Sequence, residues 1–291
     1  MSQLEFVPYN FGALPEESSS LEKSRVVILP VPYDSTSSYK AGARDGPRAI
    51  INASRNMELF DEELLEDISL VGIHTLPELM PDCHGPERTI QKVYQATREM
   101  LEQGKILVTL GGEHSISLGS IRAYKERYPG LSVLQIDAHL DLRGSYAGTP
   151  YNHACVMRRV SELCPLTQVG IRSFSEEEYD FVKEKGLEPF YQSLINNWGD
   201  WPEEVIERLS REVYVTIDLD GLDPSIMPSV GTPEPGGLGW HETLRLLKRV
   251  AEKRKVVGFD VMELCPDPTN VAPDFLAARL IYKLIGYSFR K

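Results

Sequence analysis

Three short stretches of this 291-residue chain place histidines and aspartates at spacings suited to metal ligation. Asp137-Ala138-His139-Leu140-Asp141 alternates carboxylate and imidazole with apolar residues. On an extended backbone, positions i, i+2 and i+4 share a face, so these three side chains converge. A solvated turn or a helix N-cap accounts for one aspartate there, but not for the alternation. Asp218-Leu219-Asp220 repeats the pattern ahead of Gly221-Leu222-Asp223-Pro224, where Asp223-Pro224 reads as turn chemistry. Gly111-Gly112-Glu113-His114-Ser115 adds a histidine behind two glycines, which suggest a sharp backbone turn. Together His114, Asp137, His139, Asp141, Asp218 and Asp220 offer two imidazoles, four carboxylates and no thiolate. That set is too large for one tetrahedral zinc and suits two divalent cations of the harder Mn²⁺ type, bridged by carboxylates. Four converging carboxylates without cations would repel strongly, a cost that bound metal removes. Two metals ~3.5–4 Å apart commonly hold and acidify a bridging water, so the chemistry indicated is hydrolysis.

Each stretch follows a short apolar run: Ile106–Leu110, Leu131–Ile136 or Val213–Ile217. Similar runs are Val26–Leu29, Ile68–Ile73, Thr167–Ile171 and Val256–Phe259, all four to six residues long. That is the length of a strand buried on both faces. Helical patterns alternate with them over Pro47–Met57, Pro86–Gln103, Ser117–Arg127, Glu176–Lys185, Pro202–Arg211, Trp240–Lys253 and Asp274–Ile285. The best marked has Ile90, Val93, Tyr94, Met100 and Leu101 at helical spacing, Pro86 in its first turn and Gly104 as C-cap. Strand then helix, repeated about seven times, predicts an α/β fold with a largely parallel sheet. One domain over residues 25–291 is expected, preceded by an extended arm over residues 1–24 that carries Pro8, Gly12, Pro15 and three consecutive serines. In such sheets ligands bind beyond the carboxyl ends of strands, where all three stretches fall.

With 43 acidic and 31 basic residues the net charge is −12, which argues against nucleic acid or an anionic membrane as partner. No apolar run approaches the ~18–20 residues of a membrane span, and the N-terminus lacks the basic and apolar regions of a signal peptide. Four scattered cysteines (Cys83, Cys155, Cys164, Cys265) without a CxxC pair read as buried free thiols of a cytoplasmic protein.

The three stretches, in this order, are similar to the three signatures of the ureohydrolase family, which comprises arginases, agmatinases and relatives. The resemblance runs from about Val26 to the C-terminus. It implies a three-layer α/β/α sandwich with a parallel sheet of about eight strands, and two Mn²⁺ ions bound by the six ligands named above. It also implies a homo-oligomer, hexameric or trimeric. His153, twelve residues after Asp141, resembles the family's proton-shuttling histidine, and Glu263, after Val256–Phe259, resembles the glutamate that receives the guanidinium. Without the family, His153 reads as a loop residue and Glu263 as a salt-bridge partner, although a carboxylate does pair naturally with a planar guanidinium. The implied reaction is attack of metal-bridging hydroxide on the guanidinium carbon, Asp141 relaying the proton to the leaving amine, with urea and an amine as products.

Leu142–Asn152 does not reproduce the arginase pattern of amino-acid-binding residues; it resembles the agmatinase branch, as does Gly231–Gly237. Agmatine, giving putrescine and urea, is therefore the leading substrate. N1-aminopropylagmatine, giving spermidine and urea, is the nearest alternative, followed by arginine and guanidinobutyrate. Tyr146, Tyr151 and the loop Gly170–Ser175 are expected around the substrate tail. Arg143 either meets a substrate carboxylate or serves as an ion-pair partner. Two other classes stand beside this reading: a non-catalytic metal-dependent scaffold, and a single-zinc deacetylase, which a set of six ligands disfavours. His74, His84 and His241 belong to no cluster. Gly42–Pro47, another recurring family segment, reads as a turn and helix start. The acidic excess, partly offset by bound metal, would favour the approach of a cationic guanidine.

Overall fold

Eight parallel strands form the central sheet of the computed structural model, which describes residues 6–196 and 199–289. They are β1 (Val26–Val31), β2 (Ile73–Thr75), β3 (Ile106–Gly111), β4 (Ser132–Ile136), β5 (Leu166–Ile171), β6 (Phe190–Tyr191), β7 (Glu212–Asp218) and β8 (Lys255–Met262). Their spatial order is β2-β1-β3-β8-β7-β4-β5-β6. Helices cover both faces, which is why the strands read as unbroken apolar runs. On one face lie α1 (Gly46–Ser54), α6 (Trp201–Arg208), α7 (Trp240–Lys253) and α8 (Ala272–Phe289), whose Ile50, Val205, Leu246 and Ile281 share a core with Val26, Ile28, Val215 and Ile217. On the other lie α2 (Pro86–Glu102), α3 (Ser117–Arg127), α4 (Val156–Ser161) and α5 (Glu176–Lys185), packed against alternate strand residues such as Val27, Val133 and Tyr214. The expected three-layer α/β/α sandwich is the fold observed.

Local signals explain most boundaries. Helix α5 starts in a capping box, Ser175 with Glu178, and stops at Gly186 in the left-handed region (φ 63°). The run Ile68–Ile73 is not one strand: Asp67 caps a 3₁₀ turn over Ile68–Val71, and Gly72, at φ 76°, redirects the chain into the short β2. Strand β6, only two residues long, was not visible in the sequence. The described part of the N-terminal segment is not an extended arm. Phe11 and Leu14 are buried in the main core, and the amides of Phe11 and Gly12 donate to Thr75 Oγ1 (3.0 Å) and Ser54 Oγ (2.9 Å). Among the cysteines, Cys83 is exposed; the other three are buried and free as expected.

Gly111 and Gly112 correct a further expectation, since neither has a positive φ. A Cβ on Gly111 would collide with the Met262 thioether of β8, and one on Gly112 with the Tyr33 carbonyl beyond β1. The pair permits close packing of three strand ends rather than a sharp turn. Gly112→Ala is therefore expected to lower unfolding stability by about 1–3 kcal/mol. Gly130→Ala, where a Cβ meets only a carboxylate oxygen at 3.9 Å, should stay within about 0.5 kcal/mol of wild type. Urea titration of both variants checks the contrast, and equal losses would refute the packing explanation.

Candidate metal centre

The four central strands, in spatial order β3-β8-β7-β4, all end beside one another, and each carries candidate site residues just past its end. His114 follows β3, Glu263 follows β8, Asp218 and Asp220 mark the end of β7, and Asp137, His139 and Asp141 follow β4. Gly221 lets the β7 end press on the β4 end, because a Cβ there would stand 2.8 Å from the amide nitrogen of Asp137.

The side chains form two groups that share one aspartate: His114, Asp137 and Asp218, and Asp137, His139 and Asp220. In each, potential ligand atoms lie within 4.8 Å of one another. Asp137 spans both, its Oδ2 lying 3.1 Å from His114 Nδ1 and its Oδ1 3.6 Å from His139 Nδ1. His114 Nδ1 is also 3.2 Å from Asp141 Oδ2 and 3.4 Å from Asp218 Oδ2, while His139 Nδ1 is 3.0 Å from Asp220 Oδ2. All six residues named from the sequence are thus brought together.

The hydrogen bonds behind these groups fit a cation. The Thr216 hydroxyl donates to Asp260 Oδ1 (2.6 Å) and lies 2.8 Å from His114 Nε2, so Nε2 carries the hydrogen that Thr216 accepts. Tyr214 donates to the other oxygen of Asp260 at 2.8 Å and holds that carboxylate in place. Nδ1 of His114 is buried, without a hydrogen-bond partner, facing three carboxylates. A ring nitrogen among anionic oxygens calls for positive charge, a proton in the empty cluster and a metal cation once that proton is displaced. Behind Asp137, Gln168 donates to Gln135 (2.6 Å) and Gln135 to Asp137 Oδ2 (2.6 Å).

Without metal, the crowding shifts several of these groups. Burial, and then the neighbouring Asp137, raise Asp141 to about 7; burial and Asp220 push Asp218 well above the carboxylate range. Burial opposes charge on both histidines, yet the aspartates win, raising His139 to about 12 and His114 well above its ordinary value. Two candidate functional residues also sit in the left-handed backbone region, Asp141 at φ 53° and Glu263 at φ 66°. Such strain concentrates at functional positions.

Beside the groups opens a cavity of about 290 Å³, lined by His139, Asp141, His153, Asp218, Asp220 and Glu263 among others. Glu263 is half-buried, open to the cavity; its Oε1 accepts from the amide of His114 at 2.7 Å, and desolvation with the nearby Glu113 raises its pKa well above the usual range. Burial, together with the two site histidines, lowers His153 to about 4, so its ring is neutral near pH 7. Tyr146 lines the cavity and meets His153 edge-on, with centroids 6.3 Å apart. Ser173, Phe174 and Ser175 of the expected loop line it too. Tyr151 does not: it packs against the core beneath α3 and α4, a correction to its expected place at the substrate tail. Arg143 lines the cavity, 3.9 Å from Glu178 and over the Tyr146 ring at 4.9 Å, so both of its expected roles keep a partner within reach. Gly42–Pro47 is more than a turn, since a Cβ on Gly46 would stand 2.5 Å from the Leu264 carbonyl, next to Glu263. His74 bonds the Ser19 carbonyl, and His84 pairs with Asp82 at the surface.

Sequence reasoning missed Thr36, Glu113, Gln135, Gln168, Thr216 and Asp260. Four of them were marked by being polar inside otherwise apolar strand runs: Gln135, Gln168, Thr216 and Asp260.

A parallel α/β/α sandwich whose central strand ends present two His/Asp groups around a shared aspartate defines a metal-dependent hydrolase. The arginase family model matches residues 24–286. The chain is 40% identical over 280 residues to the N(1)-aminopropylagmatine ureohydrolase of Synechocystis sp., covering 94% of this chain and 92% of that one. It is 35% identical over 272 residues to the agmatinase of Pyrococcus horikoshii, covering 91% and 92%. The structure of agmatine ureohydrolase from Thermoplasma volcanium superimposes with a TM-score of 0.88 at 33% identity, covering 97% of this chain and 95% of that one. The chain belongs to the arginase family and is a ureohydrolase. Among the described residues no helix is long and apolar enough to cross a membrane.

Divalent cations must displace the protons held at this cluster. Since Asp141 titrates near 7, affinity for Mn²⁺ is expected to weaken as pH falls through that value, with protons released on binding. Calorimetry at pH 6 and 8, in buffers of different ionisation enthalpy, reads both. Binding without proton release and without pH dependence would contradict the derived crowding.

Proposed function

We propose that this ureohydrolase hydrolyses the guanidinium group of agmatine or of its N1-aminopropyl derivative, releasing urea and putrescine or spermidine, with two Mn²⁺ ions as cofactors. The observation that carries it is the juxtaposition of a buried, cation-demanding His/Asp cluster with the cavity carboxylate Glu263. Bound at the two groups, divalent cations would supply an acidified water and would offset negative charge in the transition state. His114, Asp137, Asp141 and Asp218 would hold one ion, and Asp137, His139 and Asp220 the other.

Glu263 would then receive the guanidinium through paired charge-assisted hydrogen bonds, presenting its carbon to the cluster. Asp141 would accept a proton at its carboxylate and pass it to the leaving amine. His153, neutral at working pH, would exchange protons between the site and solvent at the cavity mouth. The exposed edge of Tyr146 would contact the tail.

Relatives named as aminopropylagmatine ureohydrolases at 40% identity favour the longer substrate, while the agmatinase at 35% keeps agmatine itself in place. Urea release with Mn²⁺ from agmatine, N1-aminopropylagmatine, arginine and guanidinobutyrate tests the reading, and preferential turnover of arginine would sink it. Glu263→Gln should abolish detectable turnover while leaving metal content intact. His153→Ala should lower kcat by roughly 10²–10⁴-fold, as expected for loss of a general acid–base group.

A further inference from the structure

Behind His153, away from the cavity, lies a hydrogen-bonded row that the reaction outlined above does not use. Glu113 is fully buried at the end of β3 and accepts three hydrogen bonds: from the Thr36 amide (2.5 Å), the Thr36 hydroxyl (2.6 Å) and the Ser115 hydroxyl (2.5 Å). The backbone amide can only donate, which fixes one carboxylate oxygen as its acceptor. The Thr36 hydroxyl has a single hydrogen, and the short contact to Glu113 takes it. Its oxygen is left with lone pairs only, and it faces two nitrogens of His153: the backbone amide at 3.2 Å and ring Nδ1 at 3.2 Å. The first is a donor by nature. The second must be one as well, since the hydroxyl has no hydrogen left to give.

The geometry points to Glu113 and Thr36 as positioning residues that lock His153 in its Nδ1–H tautomer and turn Nε2, unprotonated, toward the cavity. Ser38 Oγ, 3.4 Å from Nε2, lies on the solvent side of that nitrogen. His153 would therefore exchange protons through Nε2 alone, on a ring whose orientation is set from behind. This inference rests on the proton-exchange role given to His153 above, but the tautomer itself does not depend on that role.

Two variants test it. Thr36→Val removes the acceptor while keeping the β-branched shape; Thr36→Ser keeps the acceptor. Glu113→Gln reverses the row: the Thr36 amide holds the carboxamide oxygen, so the NH₂ group donates to the Thr36 hydroxyl. That hydroxyl then donates to Nδ1 and drives the hydrogen to Nε2. Nitrogen-15 NMR of the ring, on protein loaded with diamagnetic Mg²⁺, should show Nδ1–H for wild type and Thr36→Ser. It should show loss of that tautomer in Thr36→Val and Nε2–H in Glu113→Gln. With metal content unchanged, kcat should fall about 10–100-fold in Thr36→Val, with KM within a few-fold and recovery in Thr36→Ser. An Nε2–H tautomer in wild type, or a Thr36→Val ring spectrum identical to wild type, overturns the proposal. If wild type releases no urea from any guanidine, the functional reading fails while the ring spectra still decide this one.

Discussion

Like charge in a confined, dry space is the constraint on which this structure turns. Asp137, Asp141, Asp218 and Asp220 are at most 6% exposed, and their oxygens gather around two imidazole nitrogens. Nothing in a hydrophobic sandwich favours that arrangement; the protein must assemble it against electrostatic repulsion and desolvation. The sheet does so by ending four adjacent parallel strands at one level. Glycines at 111, 112 and 221 bring those ends closer than any side chain would permit. The pairing of β3, β8, β7 and β4 is stabilised by apolar burial on both faces, far more than the unfavourable terms at the rim. Rigid scaffold and strained site are thus the same strands at different heights.

A second ring of polar residues gives the cluster its orientation. Asp260 and Tyr214 act through Thr216 on His114, Gln168 acts through Gln135 on Asp137, and Glu113 acts through Thr36 on His153. Each chain runs from a deeply buried group, through one intermediary, to a residue at the site. The intermediary has one hydrogen or one amide to give, so the direction of each bond is determined. Repeating this arrangement three times leaves the ring orientations and the bridging carboxylate little freedom.

Much of this was legible in the chain, and the reasons for the rest are specific. Alternation of Asp, His and Asp after an apolar run identified the ligand positions, although they converge from turns beyond the strands, with Asp141 at φ 53° and Asp220 in a 3₁₀ turn, and not from one extended face. Helices α3, α5 and α7 matched their expected bounds; Ser175 with Glu178 caps α5, Glu242 caps the start of α7, and Lys125 and Arg127 mark the last turn of α3. The long-range partners were not legible: Thr36 meets Glu113 across 77 positions, and no local pattern announces it. Gly111 and Gly112 were singled out, but for a turn instead of close packing, since sequence shows a missing side chain without showing what approaches it. Tyr151 failed for a related reason. An aromatic near a motif faces core or cavity according to the turn geometry of its loop, and here the core claimed it.

Asp141 and Glu263 hold a backbone conformation that glycine adopts at no steric cost. At these two positions a mutation to glycine would relax the chain and also remove a like charge from the cluster. A lineage selected only for a folded, long-lived protein would drift toward losing both carboxylates. The two carboxylates are therefore held in place at a local cost in stability that only their chemistry explains.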